Sequence, residues 1–119
     1  MLVCLMSLTG CGTRTNKMVV DLTLKNSSTN ALNGVELHWK KKGPYVPGGI
    51  LDPGTSSSAL NVTWPGLPDA KLTFVDYKTR KPYEIGVSFS AANEQVRAGR
   101  CHEVIIQILG YDKADVICK

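Results

Sequence analysis

Val35-Glu36-Leu37-His38-Trp39-Lys40 carries an apolar side chain at every second position and a polar or charged one between. Successive side chains of an extended strand point to opposite faces, so this stretch predicts a strand with one buried and one wet face. The same period of two recurs on both sides of it. Upstream, Val20, Leu22 and Leu24 alternate with Asp21, Thr23 and Lys25. Downstream, further faces are marked by Leu60 and Val62, by Leu72 and Phe74, by Ile85, Val87 and Phe89, and by Val104, Ile106 and Ile108, with Val116 in a last short run. Turn-forming clusters separate these runs at residues 26–30, 43–49, 52–54, 65–69 and 79–82, each rich in Gly, Pro, Asn, Asp, Ser or Thr. Only residues 91–98 leave room for a turn or two of helix. About seven short strands joined by tight loops predict an all-β fold, a small antiparallel β-sandwich of Ig-like or transthyretin-like kind, with a small barrel as the alternative.

The chain has 119 residues, enough for one modest core and too few for two. Hydrophobic residues make up 43% and charged ones 20%, which argues against disorder. Fourteen basic against ten acidic residues give a formal +4. Lys40-Lys41-Lys42 is the only basic run and aromatics are 7%, so neither the charge nor the stacking surface of a nucleic-acid binder is present.

The first residues, Met1 to Leu8, read MLVCLMSL, an apolar run too short to span a bilayer. It closes on Leu8-Thr9-Gly10-Cys11 and passes into the polar stretch Gly12-Thr13-Arg14-Thr15-Asn16-Lys17. A short apolar run ending in small residues has the pattern of a secretory signal. Leu8-Thr9-Gly10-Cys11 resembles the lipobox of bacterial lipoproteins. The resemblance implies lipidation of Cys11, cleavage just before it, and acylation of the new amino group. Small Thr9 and Gly10 would admit the peptidase, and Leu8 would fill its apolar pocket. No Lys or Arg precedes Arg14, so a longer reading frame is expected to supply the positive start of such a signal. The expected organisation is a signal peptide at 1–10, a tether at 11–17 and a single β-sandwich domain at 18–119. The expected location is the periplasm, lipid-anchored, with the outer membrane favoured because Gly12 and Thr13 follow the cysteine in place of an inner-membrane aspartate.

Loss of residues 1–10 removes Cys4 and leaves Cys11, Cys101 and Cys118. A hairpin about Gly110-Tyr111-Asp112 brings Cys101 and Cys118 nearly opposite each other, which predicts a disulfide. Two buried free thiols are the bland alternative. A metal site on Cys101, His102 and Cys118 is the weakest, because neighbours on a strand point to opposite faces and no CxxC or HxxxH spacing occurs.

Two surface features are candidate contacts. Trp64-Pro65-Gly66-Leu67-Pro68 has the composition of an apolar knob, making Trp64, Pro65, Leu67 and Pro68 candidate partner-binding residues; equally, Trp64 can fold back onto the core. Lys40, Lys41, Lys42, Lys78, Arg80 and Lys81 are candidate contacts to an anionic surface, against the ordinary reading of solvated loops. If strands alternate in direction and residues 40–51 form one connection, the tether enters beside that connection and the turns at 78–81 and 110–113. Residues 26–33, 63–68 and 91–100 then gather at the opposite end.

No catalytic constellation is legible. His38 falls on the polar face beside Glu36 and Lys40, Ser56-Ser57-Ser58 lacks a nucleophile elbow, and Gly48-Gly49 has no Walker lysine pattern. The expectation is a membrane-anchored, non-enzymatic binding or assembly module for a protein partner, such as a secretion-apparatus tether, with no cofactor, metal, nucleic acid or small-molecule substrate. The alternative is an inhibitor or immunity lipoprotein that blocks a cell-wall hydrolase or toxin.

Overall fold

The computed structural model describes residues 18–40 and 42–119. The lipobox, Cys11, the tether and Lys41 lie outside the described residues. The elements are β1 (Val19–Asn26), β2 (Leu32–Trp39), β3 (Lys42–Tyr45), β4 (Ile50–Leu51), β5 (Ser56–Thr63), β6 (Asp69–Asp76), β7 (Pro82–Ser88), α1 (Ser90–Arg97), β8 (Glu103–Ile108) and β9 (Ala114–Cys118). The fold is all-β with one short helix, in two sheets. One sheet has the order β9-β8-β1-β5; the other has the order β3-β2-β6-β7, with β4 also pairing β2.

The inward faces are those the alternation marks except in β5, where Leu60 is 71% exposed and Val62 half-buried, because a bulge between Ala59 and Val62, with Asn61 at φ 56°, breaks the alternation. Val20, Leu22 and Leu24 of β1 and Val104, Ile106 and Ile108 of β8 are buried in one sheet. Val35, Leu37 and Trp39 of β2, Leu72 and Phe74 of β6, and Ile85 and Val87 of β7 are buried in the other. Each such side chain contributes roughly 1.5–3 kcal/mol on leaving water. At one end of this core Trp64 meets Trp39 edge-on, with ring centroids 5.8 Å apart, and meets Phe89 in the same way at 5.1 Å.

Two points of topology also depart from the sequence reading. First, β8 runs parallel to β1, from Glu103 beside Asp21 to Ile108 beside Asn26, whereas all the other pairings are antiparallel. Second, residues 40–51 are not one connection. The Gly and Pro residues there have loop chemistry, yet β3 and β4 both pair antiparallel to β2 and carry the chain back along it. That extra traverse inverts the end assigned to every later loop, and it is why β8 emerges parallel to β1.

The corrected arrangement follows from the register. Met18 and the start of β1 share their end with Lys40, the connection 64–68, α1 and Cys118. The loops 26–30, 52–55, 77–81 and 109–113 form the opposite end. The turns at 78–81 and 110–113 therefore lie away from the start of β1, and the segments 64–68 and 91–100 lie beside it.

Candidate functional site

The loop end remote from the start of β1 is built on two buried side chains, Asn26 and Asp76, at the last positions of β1 and β6. Asn and Asp readily bond backbone groups a few residues on, which lets them order the turn that follows. Asn26 Nδ2 donates to the carbonyls of Asn30 (2.7 Å) and Leu51 (2.8 Å). Its Oδ1 accepts from the Ser28 amide (3.0 Å) and hydroxyl (2.6 Å). One side chain thus ties the 26–30 loop to β4. The same loop is fixed to β8 by Gln107 Nε2, which donates to Ser27 Oγ at 2.8 Å.

Asp76 does the equivalent across the two sheets. Its Oδ1 accepts from the amides of Lys78 and Thr79, both at 2.8 Å, and Oδ2 accepts from the Tyr111 hydroxyl at 2.5 Å. Tyr111 lies in the β8–β9 turn and stacks flat on Tyr83, centroids 4.1 Å apart, and Tyr83 stacks in turn on Phe74 at 5.8 Å. The Tyr111 hydroxyl, above the turn amides, holds the Asp76 carboxyl below the usual carboxylate range. The same bond, with burial and the carboxylate charge, pushes Tyr111 up to about 12.

On this framework Tyr77 is 49% exposed, and Lys78, Thr79, Arg80 and Lys81 are exposed around it. A cavity of about 190 Å³ opens beside them, lined by Thr29, Asn30, Ala31, Asp76, Tyr77 and Lys78. Arg80 sits at φ 64°, a left-handed conformation that a non-glycine residue adopts only when the turn imposes it. The arrangement is a rim of cationic and aromatic groups on a turn whose backbone Asp76 orders.

The other anticipated residues are distributed as follows. Trp64 is 3% exposed, which corrects the exposed-knob reading: it belongs to the core. Its Nε1 donates to Asn93 Oδ1 (2.7 Å), and Asn93 Nδ2 donates to the Leu67 carbonyl (3.0 Å). The segment is thereby clamped to α1. Pro65 and Leu67 are half-buried and Pro68 is exposed. Gly66 needs its φ of +70°, and a Cβ there would sit 3.2 Å from Met18 Cε.

The five basic candidates among the described residues do not come together. Lys40 is exposed and Lys42 begins β3 at the β1-start end, whereas Lys78, Arg80 and Lys81 lie at the opposite end. Cys101 and Cys118 form a disulfide, Cα atoms 5.3 Å apart, joining the approach to β8 with the end of β9. Their thiols are consumed in that bond, which removes the metal reading with His102. His38 pairs with Glu36 at 2.9 Å on the wet face of β2.

Asn26, Asp76, Tyr111 and Asn93 were missed by sequence reasoning. A signal existed for the first two, since each is an Asx residue closing an alternating run before a turn. None existed for Tyr111 or Asn93, whose partners lie 35 and 29 residues away.

No protein-family model matches the chain, and no curated protein matches it. Among solved structures, an NMR structure of a protein from Eubacterium rectale aligns with 86% of this chain and 89% of that chain, at a TM-score of 0.49 and 10% identity.

Proposed function

We propose that the protein is a periplasmic lipoprotein, anchored through Cys11 at the outer membrane, that acts as a non-enzymatic binding or assembly module for a protein partner. The observation that carries this reading is Leu8-Thr9-Gly10-Cys11, followed by a short polar linker that runs directly into β1. The Cys101–Cys118 disulfide is consistent with an oxidising compartment. Because the chain enters at the Trp64 end, the rim ordered by Asn26 and Asp76 points away from the anchor. An eight-residue strand spans about 25 Å, so that rim stands about that far beyond the entry point. It is the surface assigned here to the partner, in place of Trp64, Pro65, Leu67 and Pro68.

The test is intact mass and membrane fractionation of the full chain beside Cys11→Ser. A lipid-sized mass gain, lost together with membrane association in the variant, is the expected result. An unacylated wild-type protein that fractionates like the variant overturns the reading.

A further inference from the structure

We propose that β9 is a self-association edge: two copies of the chain pair their β9 strands antiparallel about a two-fold axis at Ile117, joining two four-stranded sheets into one continuous sheet. The inference is independent of the anchor proposed above.

A strand at the rim of a sheet leaves every second backbone N–H and C=O without a ladder partner, and proteins blunt such edges with bulges, prolines or short strands. Three of the four edges here are blunted in this way. β5 breaks its register with β1 between Ala59 and Val62, where Asn61 lies at φ 56°. β3 is a four-residue strand containing Pro44, and β4 beside it has two residues. β7 opens on Pro82, and Gly86 near its middle has no side chain to pack on an added strand. β9 has none of these devices. Its register with β8 is unbroken from Ala114 to Cys118, and it carries β-branched Val116 and Ile117 with neither Pro nor Gly.

The ladder fixes which groups this edge presents. Glu103 and Lys119 exchange both backbone bonds, at 3.0 and 2.9 Å, and the Leu109 amide donates to the Lys113 carbonyl at 2.9 Å. Odd-numbered residues of β9 therefore turn their backbone groups to β8, and Ala114, Val116 and Cys118 turn theirs outward. Side chains divide the same way. Those of Asp115, Ile117 and Lys119 point to the outer face of the sheet, where all three are exposed, Ile117 by 38%. α1 meets β9 from the inner side, its Ala92 carbonyl 4.0 Å from Cys118 Sγ, so it leaves the edge open in the plane of the sheet.

Charge complementarity identifies the occupant as a second copy. Asp115 and Lys119 stand at equal spacing on either side of Ile117, with opposite signs. A second β9 placed antiparallel about Ile117 sets isoleucine against isoleucine, Asp115 against Lys119 twice, and Val116 in hydrogen-bonded register with Cys118. Ile105 of β8 lies beside Ile117, so the joint continues an apolar row across both sheets. Moving the axis to Val116 sets Lys113 against Lys119, a like-charge pair, and moving it to Cys118 sets Ile117 against Lys119. Neither charge is spent within the chain. Among the described residues the ion pairs are His38–Glu36 and Lys71–Glu84. Glu103 faces Lys119 across the ladder, but its carboxylate accepts from the Thr23 hydroxyl at 2.7 Å and forms no ion pair with that lysine. An edge of five residues buries less than a permanent dimer needs, so the association is weak and reversible.

The experiment is sedimentation equilibrium of the full chain carrying Cys11→Ser, at concentrations up to about 1 mM, the range of weak interfaces. A monomer–dimer equilibrium is the expected result. Added Asp115→Lys sets lysines against each other on both sides of the axis, and added Lys119→Asp does the same with aspartates. Each alone should weaken the dimer at least about tenfold, and an equal mixture of the two should recover it, because every facing pair is then opposite in sign. Association through apolar residues 1–8 would not respond to these changes. A chain monomeric throughout the range overturns the proposal and leaves the edge to an extended segment of another protein. Association that persists in both variants, or a mixture that fails to recover it, overturns it as well.

Discussion

Trp39 and Trp64 occupy one aromatic cluster, yet their indole N–H groups have opposite fates. Trp64 donates to Asn93 Oδ1, whereas Trp39 Nε1 is buried with no acceptor among the described residues. A buried donor left unmade costs roughly 1–3 kcal/mol, and removing the donor recovers part of that. Trp39→Phe is therefore expected to lose packing area but shed an unmade bond. Trp64→Phe loses similar area and also strands the Asn93 oxygen. Urea unfolding should show Trp64→Phe less stable than Trp39→Phe by about 1 kcal/mol or more. Equal costs would mean that the Asn93 bond contributes nothing. The alternation of β2 places Trp39 in the core from sequence alone. Trp64 sits in a Pro/Gly segment without periodicity, and its burial is set by α1, which supplies the acceptor.

At the scale of elements, the two sheets are tied at the far end by Asp76 of β6 and Tyr111 of the β8–β9 turn. The sign of the pH effect follows from each shift. Asp76 is lowered in the folded state, so its contribution is present above the unfolded value near 3.9 and is lost as pH falls through the folded value. Tyr111 is raised to about 12, so its contribution is complete below the unfolded value near 10 and is lost as pH climbs from about 10 to about 12. Tyr111→Phe should be less stable than wild type at neutral pH, and the gap should narrow both in acid and above about pH 10. Thermal unfolding across the pH range checks this, and a constant gap would sink the charge-assisted bond. The β9 strand is a second exposed element. It lies at a sheet edge, none of its residues is fully buried, and the disulfide secures its end. Closing a loop of this length stabilises by about 3 kcal/mol in the chain-entropy model. Cys101→Ala/Cys118→Ala should lower stability by about that amount, and amide exchange should quicken in residues 114–118 before it does in β8. Uniform loss of protection in both strands would show that the bond supports the whole sheet.

At the scale of the whole molecule, the sandwich has two unlike ends, one closed by Trp39, Trp64 and Phe89 beside the start of β1, the other ordered by Asn26 and Asp76. On the function proposed above, the anchor lies beside the first end and a partner meets the second. Crosslinking from a cysteine placed at Lys78 should then capture a periplasmic protein that one placed at Arg100 does not. The sequence by itself determined the all-β class, the inward face of nearly every long strand, and the pairing of Cys101 with Cys118. Those features depend on side-chain period and near-neighbour reach, which a linear pattern records. The tertiary structure alone decided which loops share an end, the parallel alignment of β8 with β1, and the burial of Trp64. Pairing β3 and β4 back along β2 is a contact between strands, made by a Gly/Pro-rich segment with no alternation to announce it. That single traverse reverses every later loop, and a rule of alternating ends carries the error to the last residue.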